Sequence, residues 1–116
     1  MIESMPKFIQ GMFSFTGEGY GQPAPISEAL SYTVPSAKRA QLIYFRGGSS
    51  AEDMVSVILL RDGKPMRYFP IGANGAVHVP LAVVEDLEPD QVLTLAIAAP
   101  LRAEGVLVID IGLIEI

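Results

Sequence analysis

The chemistry open to this chain rests on few side chains. It has one histidine, His78, and no cysteine. Without thiols there are no disulfides, thiolate zinc sites, iron–sulfur ligands or thiol nucleophiles. His78 lies in Ala76-Val77-His78-Val79-Pro80. Strand alternation turns Val77, Val79 and Leu81 inward and His78 outward, a surface position on a polar face. The competing role is a general base or a metal ligand, and a lone histidine without cysteine is a poor start for a transition-metal site.

Carboxylates offer two candidates. Glu85-Asp86-Leu87-Glu88-Pro89-Asp90 reads as a solvated acidic turn. It has oxygen ligands for a hard cation but lacks the spaced pattern of a dedicated calcium loop. Asp110 sits mid-strand between Ile109 and Ile111, on the face of Val108 and Ile114. A carboxylate there needs a partner, since unpaired burial is costly. An arginine (Arg46, Arg61 or Arg67), a cation or a ligand would serve, and simple exposure would remove the need. Arg46-Gly47-Gly48-Ser49-Ser50 reads as a connecting turn, with anion cradling as the rival. It lacks the phosphate-loop spacing, and no serine has a nucleophile-elbow setting. Phe15-Thr16-Gly17-Glu18-Gly19-Tyr20-Gly21-Gln22 is a polar-aromatic loop of the kind that recognises something or reaches over a neighbouring subunit.

The elements that position these groups are short. Eleven Gly and nine Pro punctuate the 116 residues into runs of strand length. In Lys7 to Phe15, Ile9, Gly11, Phe13 and Phe15 share one face; Phe8, Gln10, Met12 and Ser14 share the other. Further strands are expected around Leu30 to Val34, at Ala40 to Phe45, Met54 to Leu60, Pro65 to Ile71, Ala76 to Val84, Gln91 to Ala98 and Val106 to Ile116. Asp62-Gly63 marks a hairpin and Ala73-Asn74-Gly75 a second turn. Helical candidates are single turns at Ile26 to Leu30 and Ala51 to Met54, the latter capped by Ser50 with Asp53. The pattern predicts an all-β antiparallel sandwich of eight or nine short strands, jelly-roll-like, as one domain over residues 1–116.

The remaining totals bear on partners. Net charge is −5 and the eight Lys and Arg are scattered, so phosphate neutralisation, and with it nucleic acid, is not expected. No stretch approaches the ~18 apolar residues of a spanning helix, and the start at Met1 to Lys7 is unlike a signal peptide, so no membrane and a cytoplasmic location are expected. Yet half the residues are hydrophobic. Met54 to Leu60 and Val106 to Ile116 are apolar on both faces, where a two-layer sandwich normally shows one. The second face calls for a cover: loop 17–28, the N-terminal strand or another copy of the protein.

Residues 39–116 resemble the second half of galactose-binding-like jelly rolls, the fold of many carbohydrate-binding modules. The resemblance rests on Leu42-Ile43-Tyr44-Phe45-Arg46-Gly47-Gly48, on Val55 to Gly63 and on Gly105 to Leu113 with Asp110 at its centre. It implies the fold, a carbohydrate ligand and, through the acid of the last strand, a structural calcium held by Asp110 with Glu18. The chain departs from that pattern in having no Trp and only four Tyr.

The reading that follows is a non-enzymatic domain that self-associates as a homo-oligomer and contacts a protein partner, with no cofactor. The alternative is a module for a small polar ligand, a sugar or polyol, contacted by Tyr20, Tyr44, Tyr68, Arg46, Arg67 and Asp110. A third reading is a small β-barrel enzyme using His78 and a carboxylate.

Overall fold

Alternating side chains and glycine- or proline-bearing turns resolve the chain into nine strands among the described residues. The computed structural model describes residues 4–116, save the side chains of residues 82–85. Residues 1–3, part of the N-terminal expectation, lie outside it. The strands are β1 Met5–Thr16, β2 Ala24–Pro25, β3 Tyr32–Thr33, β4 Ala40–Ser49, β5 Val55–Arg61, β6 Lys64–Ile71, β7 Ala76–Leu87, β8 Val92–Ala98 and β9 Glu104–Glu115. One sheet runs β1-β9-β4-β7; the other runs β2-β8-β5-β6, with β3 also on β8. Every pairing is antiparallel.

The inner faces supply one core. Ile9, Phe15, Leu42, Phe45, Leu107, Ile109, Ile111 and Leu113 come from the first sheet; Val55, Val57, Leu59, Phe69, Ile71, Leu93 and Ile97 come from the second. Phe45 stacks on Phe69 across the layers with centroids 4.1 Å apart. At one end the layers are pinned by polar groups. The Tyr32 hydroxyl donates to Glu115 Oε2, and Lys38 Nζ lies 3.9 Å from Glu115 Oε1. Glu115 is 4% exposed, so these partners meet the cost of its burial.

Several local expectations are corrected. Arg46-Gly47-Gly48-Ser49 is not a turn: β4 runs through it. A Cβ on Gly47 would stand 2.9 Å from the Phe45 ring, so the residue is small to let that ring lie flat. Ala51 to Met54 forms no helical turn. Ser50 Oγ instead accepts from Val106 N–H at 2.8 Å, and Ser50 N–H donates to Val106 O, so the cap candidate prolongs the β4–β9 ladder. The strand expected around Leu30 to Val34 shortens to the two residues of β3, while the single turn expected at Ile26 to Leu30 is present as a 3-10 turn at Glu28–Leu30. The acidic segment is a turn only from Glu88, since β7 extends to Leu87; the Glu85 side chain lies outside the described residues.

The doubly apolar strands find different covers. On β5, the outer-face Ile58 is buried with Ala96 and Ala98, the half-buried Leu60 packs against them, and Tyr20 and Pro23 of loop 17–28 rise beside them. On β9, Val106 and Val108 stay exposed on the outer face.

Candidate functional site

Cross-strand register gathers the polar residues of the first sheet into one row. On its outer face Gln10 of β1 stands opposite Asp110 of β9, Asp110 opposite Arg46 of β4, and Arg46 opposite His78 of β7. Asp110 Oδ1 accepts from Gln10 Nε2 at 3.0 Å and from the Tyr44 hydroxyl at 3.0 Å. Arg46 Nη1 lies 4.0 Å from Asp110 Oδ2. The same guanidinium sits 5.7 Å from the Tyr44 ring centroid, and His78 meets that ring edge-on with centroids 5.9 Å apart.

A backbone irregularity makes the arrangement possible. The β4–β9 register shifts between Leu42 and Tyr44, which puts Tyr44 opposite Gly112. A Cβ on Gly112 would lie 2.1 Å from Tyr44 Cε2, so the phenol ring occupies the space a side chain would fill. From there its hydroxyl reaches Asp110. Burial first, then the hydrogen bond to Asp110 and its negative charge, raise the Tyr44 pKa above the ordinary phenol value, with Arg46 pulling the other way. The proton therefore stays on Tyr44, which remains a donor.

Beside this row is an open depression of about 670 Å3, lined by Arg46, Gly47, Gly48, Ala76, Val77, His78, Val108 and Asp110. Gly48 and Ala76 are opposed in register, so two small residues make the hollow. One wall carries an acid, a guanidinium and an imidazole; the floor is apolar.

The structure brings together Tyr44, Arg46 and Asp110 of the ligand-binding candidates and sets beside them His78, the candidate of the catalytic reading. Asp110 takes an arginine, Arg46, as its charged partner. Tyr20 and Tyr68 lie elsewhere. They flank an apolar groove of about 490 Å3 on the outer face of the second sheet, over Ile58, Ala96 and Ala98. The Tyr20 hydroxyl is held by Met54 O at 2.6 Å. Arg67 stands opposite Leu59 on β6 of the second sheet, one residue from Tyr68 and so on the other side of that strand. Gln10 and Gly112 were not legible as site residues. Alternation puts Gln10 on the outer face, but only the register shows its neighbour.

Calcium does not fit these residues. Asp110 is opposite Gln10, whereas Glu18 lies past Thr16, the end of β1, at least ~20 Å farther along the strand. Asp110 is moreover surrounded by donors and a cation. No group of three or more His, Cys, Asp or Glu suited to a metal occurs among the described residues. None of their helices is long and apolar enough to cross a membrane.

No family model and no curated protein matches the chain. Among solved structures it is similar to the CBM36-1 domain of a multidomain xylanase from the hindgut metagenome of Trinervitermes trinervoides, at 21% identity, covering 95% of this chain and 96% of that one, with TM-score 0.60. A structure of Bacillus endospore appendages, a family of disulfide-linked pili, aligns at 10% identity over 97% of this chain and 88% of the other, with TM-score 0.49. The all-β, jelly-roll fold of the carbohydrate-binding-module kind thus extends across the chain, beyond the segment 39–116 where the sequence resembles it.

Proposed function

We propose that this domain binds a carbohydrate or related polyol in the depression beside Arg46, His78 and Asp110, and holds it without transforming it. The observation that carries this reading is the convergence of Tyr44, Arg46, His78 and Asp110 on one side of an apolar-floored hollow. A sugar has the matching two-sided chemistry. Its C–H face packs on Ala76 and Val108, while adjacent hydroxyls bridge donors on Arg46 to acceptors on Asp110. The size suits it too, since small-molecule sites typically span about 300–1,000 Å3. The likeness to a module from a xylanase supports the same class of ligand.

A catalytic reading has one observation in its favour: His78 and Asp110 line the same hollow. Arg46 stands between them in register, which puts their strands ~10 Å apart. Glycoside hydrolysis by paired carboxylates needs a second acid, and Asp110 is the hollow's one carboxylate among the described lining residues. Binding is the better account.

Titration calorimetry against a panel of soluble oligosaccharides and polyols, with calcium and with chelator, tests the proposal. Binding is expected to be calcium-independent. Arg46→Ala or Asp110→Asn should weaken it about tenfold to a hundredfold, the scale of a hydrogen bond to a charged group. No heat with any panel member, or binding that both variants leave unchanged, would overturn it. Product formation during incubation would favour the catalytic reading instead.

A further inference from the structure

Among the described residues the two sheets have four edge strands; all carry a proline, and in three of them it breaks or closes the strand. β6 has Pro65 and Pro70, β7 has Pro80, and β2 ends in Pro25 beside the short β3. Proline withholds an amide donor and so blocks strand addition. β1 differs. Its proline, Pro6, is next to the strand's first residue, and the run from Lys7 to Thr16 is uninterrupted. This edge has β9 as its neighbour and leaves its other side unpaired in the sheet. On the outer face it presents Phe8 at 57% exposure and Met12 at 71%.

From these features we infer that β1 is a self-association edge, pairing antiparallel with β1 of a second copy about a twofold axis at Gln10. The side chains select both occupant and register. Centring on Gln10 sets Phe8 of each copy opposite Met12 of the other, and a thioether against an aromatic ring is a favourable contact. Centring on Gly11 sets Phe8 against Ser14, and centring on Ile9 sets Met12 against Pro6. On the inner side the Gln10 register sets Ile9 against Gly11, over which the Phe13 ring already lies. Charge agrees with a second copy. The protein is acidic overall, at −5, yet β1 carries one charged residue, Lys7. In this register the two lysines are offset by the run from residue 7 to 13, about 20 Å along the strand, and each faces Phe13 of the other copy. A twofold axis makes the contact self-complementary and closed, giving a dimer and not a fibre.

Sedimentation velocity from low-micromolar to sub-millimolar protein, with near-ultraviolet circular dichroism as a check on folding, tests the register directly. Wild type should show a concentration-dependent dimer. Phe8→Lys and Met12→Glu alone each place a charge against an apolar partner and should weaken dimerisation about tenfold or more. The double variant sets the introduced ammonium of each copy opposite the introduced carboxylate of the other, twice over, and should recover the dimer. A wild type that stays monomeric overturns the inference, as does a dimer indifferent to the single changes or a double variant that remains dissociated. Ligand binding at the Arg46–Asp110 hollow is a separate measurement and can succeed or fail independently.

Discussion

Gly112 is the residue on which the candidate site turns, because its missing side chain is where Tyr44 lies. Placing a methyl 2.1 Å from Tyr44 Cε2 forces the ring away, and Asp110 loses the phenol donor. Gly112→Ala should therefore weaken the proposed sugar binding about tenfold, near the low end for a charge-assisted hydrogen bond. In the same variant the Tyr44 phenol should titrate closer to its ordinary value, since its raised pKa derives from burial and from Asp110. Calorimetry and phenolate absorbance read the two effects separately. An unchanged affinity with an unchanged titration means the ring has not moved. Single positions of this kind are only partly legible in the sequence. Asp110 declares itself as a mid-strand acid in need of a partner, and Arg46 is among the three arginines that could meet it. Gly112 carries no signal, because a glycine's purpose here is set by a ring on another strand.

At the scale of elements, alternation and turn chemistry are readable wherever the controlling interactions are local. Asp62-Gly63 is such a case. Both residues have positive φ, 51° and 80°, as a tight hairpin between β5 and β6 requires. Asp62 adds a tie to β8: its N–H donates to Val92 O, and its Oδ1 accepts from Val92 N–H at 2.9 Å. Gly63→Ala should lower unfolding free energy by about 1 kcal/mol, the cost of holding a side chain in the left-handed region. Urea denaturation measures it. The turn is spacious, with no atom within 4 Å of where the added methyl would sit, which leaves backbone strain as the cause. Ala51 to Met54 shows the opposite case. Its capping pattern is present, but Ser50 bonds to Val106, distant in sequence and adjacent in space. The Arg46–Ser49 run departs from expectation for a related reason. Glycines that suggest a turn in isolation instead make room for Phe45 and for the hollow beside Ala76.

For the molecule as a whole, the two sheets must stay closed at the end where Glu115 is buried, and this closure should depend on alkaline pH. Tyr32 donates to Glu115, and its pKa is raised well above the usual phenol value, by burial first and then by the bond to Glu115 and that group's charge. A phenol that holds its proton more tightly when folded contributes stability fully present below the unfolded value, about 10. That stability is lost as pH climbs from there towards the folded value. Tyr44 is raised as well and adds to the fall in the same direction. Wild-type stability should therefore decline steadily above about pH 10. Tyr32→Phe should start lower, by about 1–3 kcal/mol at neutral pH, because it strips a donor from a buried carboxylate. Its decline above that pH should be shallower, with only the Tyr44 share of this effect remaining. Denaturant midpoints for both proteins between neutral and strongly alkaline pH give the comparison. Parallel curves would mean that the Tyr32 proton does not hold the sheets together; converging curves assign that role to it. Lys38, 3.9 Å from Glu115, is common to both proteins, so the difference between the curves, and not either slope alone, isolates the tyrosine.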